Sequence, residues 1–139
     1  MGDIEGKLER FRAAGREMRL QLLLEYARKL PPLPAELEAA RSEGLGRVQE
    51  CQTPLFLWVG IENGGVRIHA DAPVEAPTVR GFVSFLADAL NGRSPAEVAD
   101  LPDDFLQRMG LHEVLGVMRS RGLEAVLRRI KRDVARAAA

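Results

Sequence analysis

Apolar positions set the outline of the chain. Ile4, Leu8 and Phe11 recur at i, i+4 and i+7, which predicts a short amphipathic helix over residues 2–14, punctuated by Gly15. Met18, Leu22, Leu23, Tyr26 and Leu30 carry helical spacing over residues 16–30. Pro31 and Pro32 end it, because proline lacks the N–H and disfavours helix in the residue before it. Residues 33–46 are mixed: Pro34 opens a short helical turn through Arg41, and Gly44 and Gly46 give a flexible approach to the next element.

The period then changes. Residues 47–51 read as a modest strand. Leu55, Leu57, Val59 and Ile61 alternate with Phe56, Trp58 and Gly60, so both faces of the next strand are apolar, the pattern of a strand covered at least in part on both sides. Asn63-Gly64, followed by Gly65, is a hairpin signal, since both residues tolerate positive φ. Val66, Ile68 and Ala70 alternate with Arg67, His69 and Asp71 in a half-buried edge strand. Short connections imply an antiparallel meander in the order 1-2-3.

Past a loop stiffened by Pro73 and Pro77, Val79, Phe82, Val83, Leu86 and Leu90 give residues 78–90 a wide apolar helical face, ended by Asn91-Gly92. Ser94-Pro95-Ala96-Glu97 is a capping box that starts a short helix. Pro102-Asp103-Asp104 opens another, closed by Gly110. Leu123, Leu127, Ile130 and Val134 make residues 120–136 the longest amphipathic helix, with Arg128, Arg129, Lys131, Arg132 and Arg136 largely outside the apolar stripe. The expected fold class is therefore α+β: a single two-layer domain in which a three-stranded antiparallel sheet packs against helices.

Composition narrows the function. With 46% apolar residues among 139, the chain can bury a core of one domain. Lys plus Arg and Asp plus Glu balance at 20 each, so no strongly basic nucleic-acid footprint exists, and the basic last helix reads as a solvated face. No apolar run approaches the ~20 residues of a membrane span. The segment from Met1 to Lys7 has early acids and no apolar stretch of signal-peptide type, and the only cysteine, Cys51, excludes an internal disulfide and a multi-cysteine metal site. A reducing cytoplasm is the expected location. His69 and His112 have no second ligand at a recognisable spacing, so solvated or structural histidines are expected.

Cys51 is the candidate for chemistry. It lies in Val48-Gln49-Glu50-Cys51-Gln52-Thr53-Pro54-Leu55-Phe56, at the bend between the first two strands. A thiolate there can attack a sulfur atom of another molecule. Arg47, Arg80 and Arg119 are the cations that would favour it, and the Glu50 carboxylate works against it. An apolar pocket under the loop, lined by Leu55, Phe56 and the last helix, would shield the sulfur. The plainer reading is a buried, inert cysteine.

Four short motifs carry a resemblance. Leu30-Pro31-Pro32-Leu33, Val48-Gln49-Glu50-Cys51-Gln52-Thr53, Thr78-Val79-Arg80-Gly81-Phe82 and Arg119-Ser120-Arg121-Gly122-Leu123 occur in the order and at the spacing of the SufE family, which the chain resembles over nearly its whole length. The resemblance implies a fold shared with the IscU/NifU scaffolds. It implies a non-enzymatic sulfur acceptor that takes persulfide sulfur from a SufS-type cysteine desulfurase and passes it to an iron–sulfur scaffold of SufBCD type. The pyridoxal phosphate (PLP) belongs to the desulfurase; no cofactor of its own, no metal, no nucleic acid and no membrane are implied, and the chain would be a monomer or weak homodimer. By position Cys51 is the persulfide bearer, Arg119 contacts the Cys51 loop or the partner, and Asp71 matches the first acid of the family's Asp-Ser-Asp loop. Glu50 stands where the family has glycine, Thr53 where it has serine, Phe56 where tryptophan is common, and Met118 where serine precedes the arginine. The alternative is an interaction module that activates a desulfurase allosterically without carrying sulfur. A single-cysteine peroxidase is a third reading, and a cluster-building scaffold a fourth, disfavoured by the single thiol.

Overall fold

The computed structural model describes residues 2–139, with side chains from Ile4 onward; Met1, part of the N-terminal reading above, lies outside the described residues. Helices α1 (Gly2–Ala13), α2 (Arg16–Lys29) and α3 (Ala35–Ser42) precede strands β1 (Phe56–Glu62) and β2 (Gly65–Asp71), and α4 (Pro77–Leu90), α5 (Pro95–Ala99), α6 (Phe105–Arg108) and α7 (His112–Ala138) follow. The fold is α+β.

The centre is α4. It is apolar nearly all round, and such a helix must be enclosed; Phe82, Val83, Phe85, Leu86 and Leu90 are fully buried. One side packs on β2 and the other on α2, while α7 covers β1. Phe85 joins the layers: its ring lies 5.1 Å from Phe11 of α1, 5.3 Å from Tyr26 of α2 and 6.2 Å from Phe105 of α6. The β1–β2 hairpin pairs Leu57 with Ala70, Val59 with Ile68 and Ile61 with Val66, which puts one apolar row toward the helices. Its turn uses Asn63 (φ 55°) and Gly64 (φ 79°), both left-handed as the sequence requires. The outer edge of β2 is closed by the segment after α4: Val66 N–H donates to the Arg93 carbonyl, Gly92 N–H to the Val66 carbonyl, and Ile68 N–H to Asn91 Oδ1. The expected capping box is present, with Glu97 N–H donating to Ser94 Oγ and Ser94 N–H to Glu97 Oε1, both at 3.1 Å.

Two expectations are corrected. Among the described residues the sheet has two strands, not three. Residues 46–48 do run antiparallel beside β1, with an Arg47–Phe56 bridge and bonds from Leu57 N–H to the Gly46 carbonyl and from Val48 N–H to the Leu55 carbonyl. They are too short for a strand because Gly46 is left-handed (φ 79°) on one side and the chain turns at Val48–Cys51 on the other. Gly46 is needed there for a second reason, since the Trp58 indole lies where its Cβ would be. The last helix starts earlier than residue 120: past the non-helical Gly116 (φ 82°, ψ 169°) it runs from residue 117, and a separate helical turn, residues 112–115, precedes the kink. Val117 and Met118 are exposed, so its first turn has no apolar periodicity to read. Among the described residues no helix is long and apolar enough to cross a membrane.

Candidate functional site

The loop from Gln49 to Pro54 is closed at its base by the 2.8 Å bond from Val48 N–H to the Leu55 carbonyl, and within it Cys51 N–H reaches back to the Val48 carbonyl at 3.4 Å. Val48 and Leu55 anchor this base in the core, while Gln49, Glu50, Gln52 and Pro54 are exposed. Cys51 is turned inward and is only 6% exposed. It faces a cleft of about 550 Å³ between the loop (Glu50 to Thr53) and the α7 turns that carry Met118, Arg119 and Arg121 to Leu123, with Val79 of α4 at the bottom. A thiol at an apolar wall with two guanidinium groups at the rim suits a sulfur nucleophile that must be shielded between reactions.

Of the expected cations, Arg119 lines the cleft with Cys51, and its Nη1 lies 3.5 Å from Thr78 Oγ1, at the start of α4. The other two expected cations are elsewhere. Arg80 donates through Nε to the Ala27 carbonyl at 3.0 Å and through Nη1 to the Ala72 carbonyl, tying the end of α2 to the exit of β2. Arg47 does not line the cleft. Asp71 is also engaged away from the cleft, since its Oδ2 takes Arg41 Nη1 at 2.6 Å and its Oδ1 lies 3.5 Å from Arg80 Nη1. This carboxylate braces α3 and α4 to β2. The expected apolar lining is half changed: α7 supplies it, but Leu55 is buried in the core and Phe56 stacks on Trp58, ring centres 6.4 Å apart, on the opposite sheet face.

Two further cations near Cys51 have no counterpart among the residues expected from the sequence. Arg121 lines the cleft two residues after Arg119; the Arg-Ser-Arg spacing around buried Ser120, which points both cations outward, was the available signal. Arg129 of α7 reaches the loop, with Nη1 3.3 Å from Glu50 Oε1 and 3.3 Å from the Arg47 carbonyl. Nothing local marks that pair, which lies 79 residues apart in sequence. His69 sits beside Arg67 and its imidazole is held below its usual value by burial and by that neighbour; His112 pairs with Glu124 at 3.2 Å. Among the described residues no cluster of His, Cys, Asp and Glu is arranged to hold a metal.

Comparison with known proteins agrees with this geometry. The SufE family model, described as an Fe-S metabolism associated domain, matches residues 6–134. An uncharacterised SufE-like protein of Mycobacterium tuberculosis is 45% identical over 115 residues, covering 82% of this chain and 78% of its own. The sulfur acceptor protein CsdE of Escherichia coli is 32% identical over 112 residues, 79% of this chain and 72% of its own. A solution structure of a hypothetical protein from Thermus thermophilus superposes with a TM-score of 0.84 at 42% identity, covering 98% of this chain and 96% of that one. By motif, by fold and by sequence along nearly its full length, this chain belongs to the SufE family.

Proposed function

We propose that this protein is a sulfur acceptor that takes persulfide sulfur from a PLP-dependent cysteine desulfurase onto Cys51 and delivers it to an iron–sulfur scaffold of SufBCD type. The observation that carries the reading is the placement of the sole cysteine, at the turn of an anchored loop and facing a cation-rimmed cleft, in a SufE-family chain. The Cys51 thiolate attacks the terminal sulfur of the partner's cysteine persulfide. The partner's S–S bond breaks, its cysteine leaves as a thiolate, and Cys51 becomes a persulfide with no net oxidation or reduction. A thiolate of the scaffold repeats the exchange. Arg119 and Arg121 at the rim offset the negative charge that travels with the sulfur, and the apolar wall keeps other thiols from the persulfide. In this reading the chain is an accessory of the desulfurase, and the cofactor stays with the partner.

The test is intact mass after incubation with a SufS-type desulfurase and cysteine, without reductant. Wild type should gain about 32 Da per sulfur atom, and Cys51→Ala should gain none. Stimulation of desulfurase turnover that survives Cys51→Ala, with no mass gained by wild type, would replace the acceptor by an allosteric module.

A further inference from the structure

We infer that Arg129 is a positioning residue that latches the Cys51 loop shut through Glu50, so that the rate at which the thiol becomes available is set by one ion pair on α7. The inference rests on the acceptor reading for its biological meaning, but not for its test. Cys51 lines the cleft yet is only 6% exposed, so the approach of a second sulfur to its thiol widens when the loop opens. What holds the loop is therefore a control point. Hydrogen bonds at its base, from Val48 to Leu55, lie outside the part that must move. At its turn, beside the thiol, the side-chain tie to α7 is Arg129 Nη1, placed 3.3 Å from Glu50 Oε1 and 3.3 Å from the carbonyl of Arg47 at the start of the loop. One guanidinium nitrogen thus spans the leg that stays and the leg that swings.

The cation is set in place beforehand. Asp133 lies one turn further along α7, its Oδ2 3.6 Å from Arg129 Nε and its Oδ1 3.6 Å from Arg132 Nε. That Nε is buried without a hydrogen bond of good geometry, so Arg129 is held by charge in a largely enclosed place and is only 21% exposed. Its partner Glu50 is the residue that departs from the glycine expected at this position. A glycine there would leave Arg129 with Asp133 on its own helix and the Arg47 carbonyl at the base of the loop, and the latch to the turn would not exist. The pair also explains how a carboxylate is tolerated next to a sulfur nucleophile: its charge is engaged by Arg129 while the loop is closed. A docking partner that offers its own carboxylate to Arg129, or its own cation to Glu50, opens the loop by exchange.

The test is the rate at which Cys51 of the full chain reacts with 4,4′-dithiodipyridine, an uncharged disulfide, so that removing a charge does not alter attraction of the reagent. When opening is fast compared with reaction, this rate reads the open fraction. Arg129→Gln and Glu50→Gln should each raise it about two- to fivefold, the worth of a partly exposed ion pair. The double variant should react no faster than the faster single one, Arg129→Lys should fall between wild type and Arg129→Gln, and added salt should speed wild type but not the double variant. Unchanged rates in folded Glu50→Gln, or effects that multiply in the double variant, would overturn the latch; Glu50 is on an exposed loop, so that arm remains readable even if Arg129→Gln fails to fold. Because no desulfurase is present, the two readings fail separately. Faster thiol reaction in the variants with no sulfur loading of wild type leaves the latch and removes the acceptor; loading of wild type with unchanged thiol rates does the reverse.

Discussion

Replacing Gly81 by alanine should destabilise the protein, although the same change in most helices does the opposite. Gly81 lies within α4 where α2 crosses it. A Cβ at this position would stand 2.8 Å from the Leu23 carbonyl carbon and 3.1 Å from Leu23 Cα, and closer still to the carbonyl oxygen. These are backbone atoms of a residue that is fully buried, so no side chain can swing away. Carbon atoms rest at about 3.5–4.0 Å, so α2 and α4 would have to separate by roughly 1 Å. Overpacking of this kind costs about 1–3 kcal/mol, and the better helix propensity of alanine returns about 0.8–1 kcal/mol in the opposite direction. The surplus is a loss of up to about 2 kcal/mol, or about 7 °C in Tm for a chain of this length. Thermal and urea unfolding followed by circular dichroism measure it. Gly6→Ala is the control: Gly6 is exposed on α1 with nothing within 4 Å of its Cβ position, so alanine should stabilise there. If Gly81→Ala matched or exceeded wild type in both unfolding experiments, the α2–α4 approach described here would be wrong.

Ser120 Oγ is buried without a hydrogen-bond partner, so Ser120→Ala should leave stability unchanged or raise it by about 1 kcal/mol in urea unfolding. Asp71→Asn should lower stability, because it leaves Arg80, 20% exposed, with a weaker partner, yet leave the thiol reaction rate of Cys51 unaltered; a changed rate would return Asp71 to the site. Arg119→Ala, at an exposed cleft rim, should slow sulfur loading by a desulfurase without shifting the unfolding midpoint. His69 has a folded-state pKa lowered from 6.5, chiefly by burial and then by Arg67. Its neutral form is therefore the one the fold favours: the stability it contributes is complete above pH 6.5 and is lost as pH falls through the lowered value. His69→Gln should flatten the stability–pH curve on the acid side of pH 6.5, as followed by urea midpoints.

Features under local rules are legible in consecutive residues. Helical spacing fixed α1, α2, α4 and most of α7, the Asn63-Gly64 pair fixed the hairpin, Ser94 and Glu97 fixed the start of α5, and a lone cysteine between two strand-like runs marked the loop. Each of these depends on residues within a turn or two of one another, so the pattern is written in consecutive positions. The tertiary structure decided everything that depends on closure between distant segments. Residues 46–48 lie beside β1 as expected but form only a bridge, because their length is cut by a left-handed glycine and a turn whose effect depends on where Trp58 sits. Arg80 and Asp71 carry the residue types a sulfur site would use, yet they face α2, α3 and the exit of β2, which no spacing in the sequence encodes. Arg129 reads as a member of a solvated basic helix and Arg121 only as part of a motif; both became part of the thiol's surroundings when α7 was laid against β1 and the loop before it. A charge acts through distance in space, and the sequence states only distance along the chain.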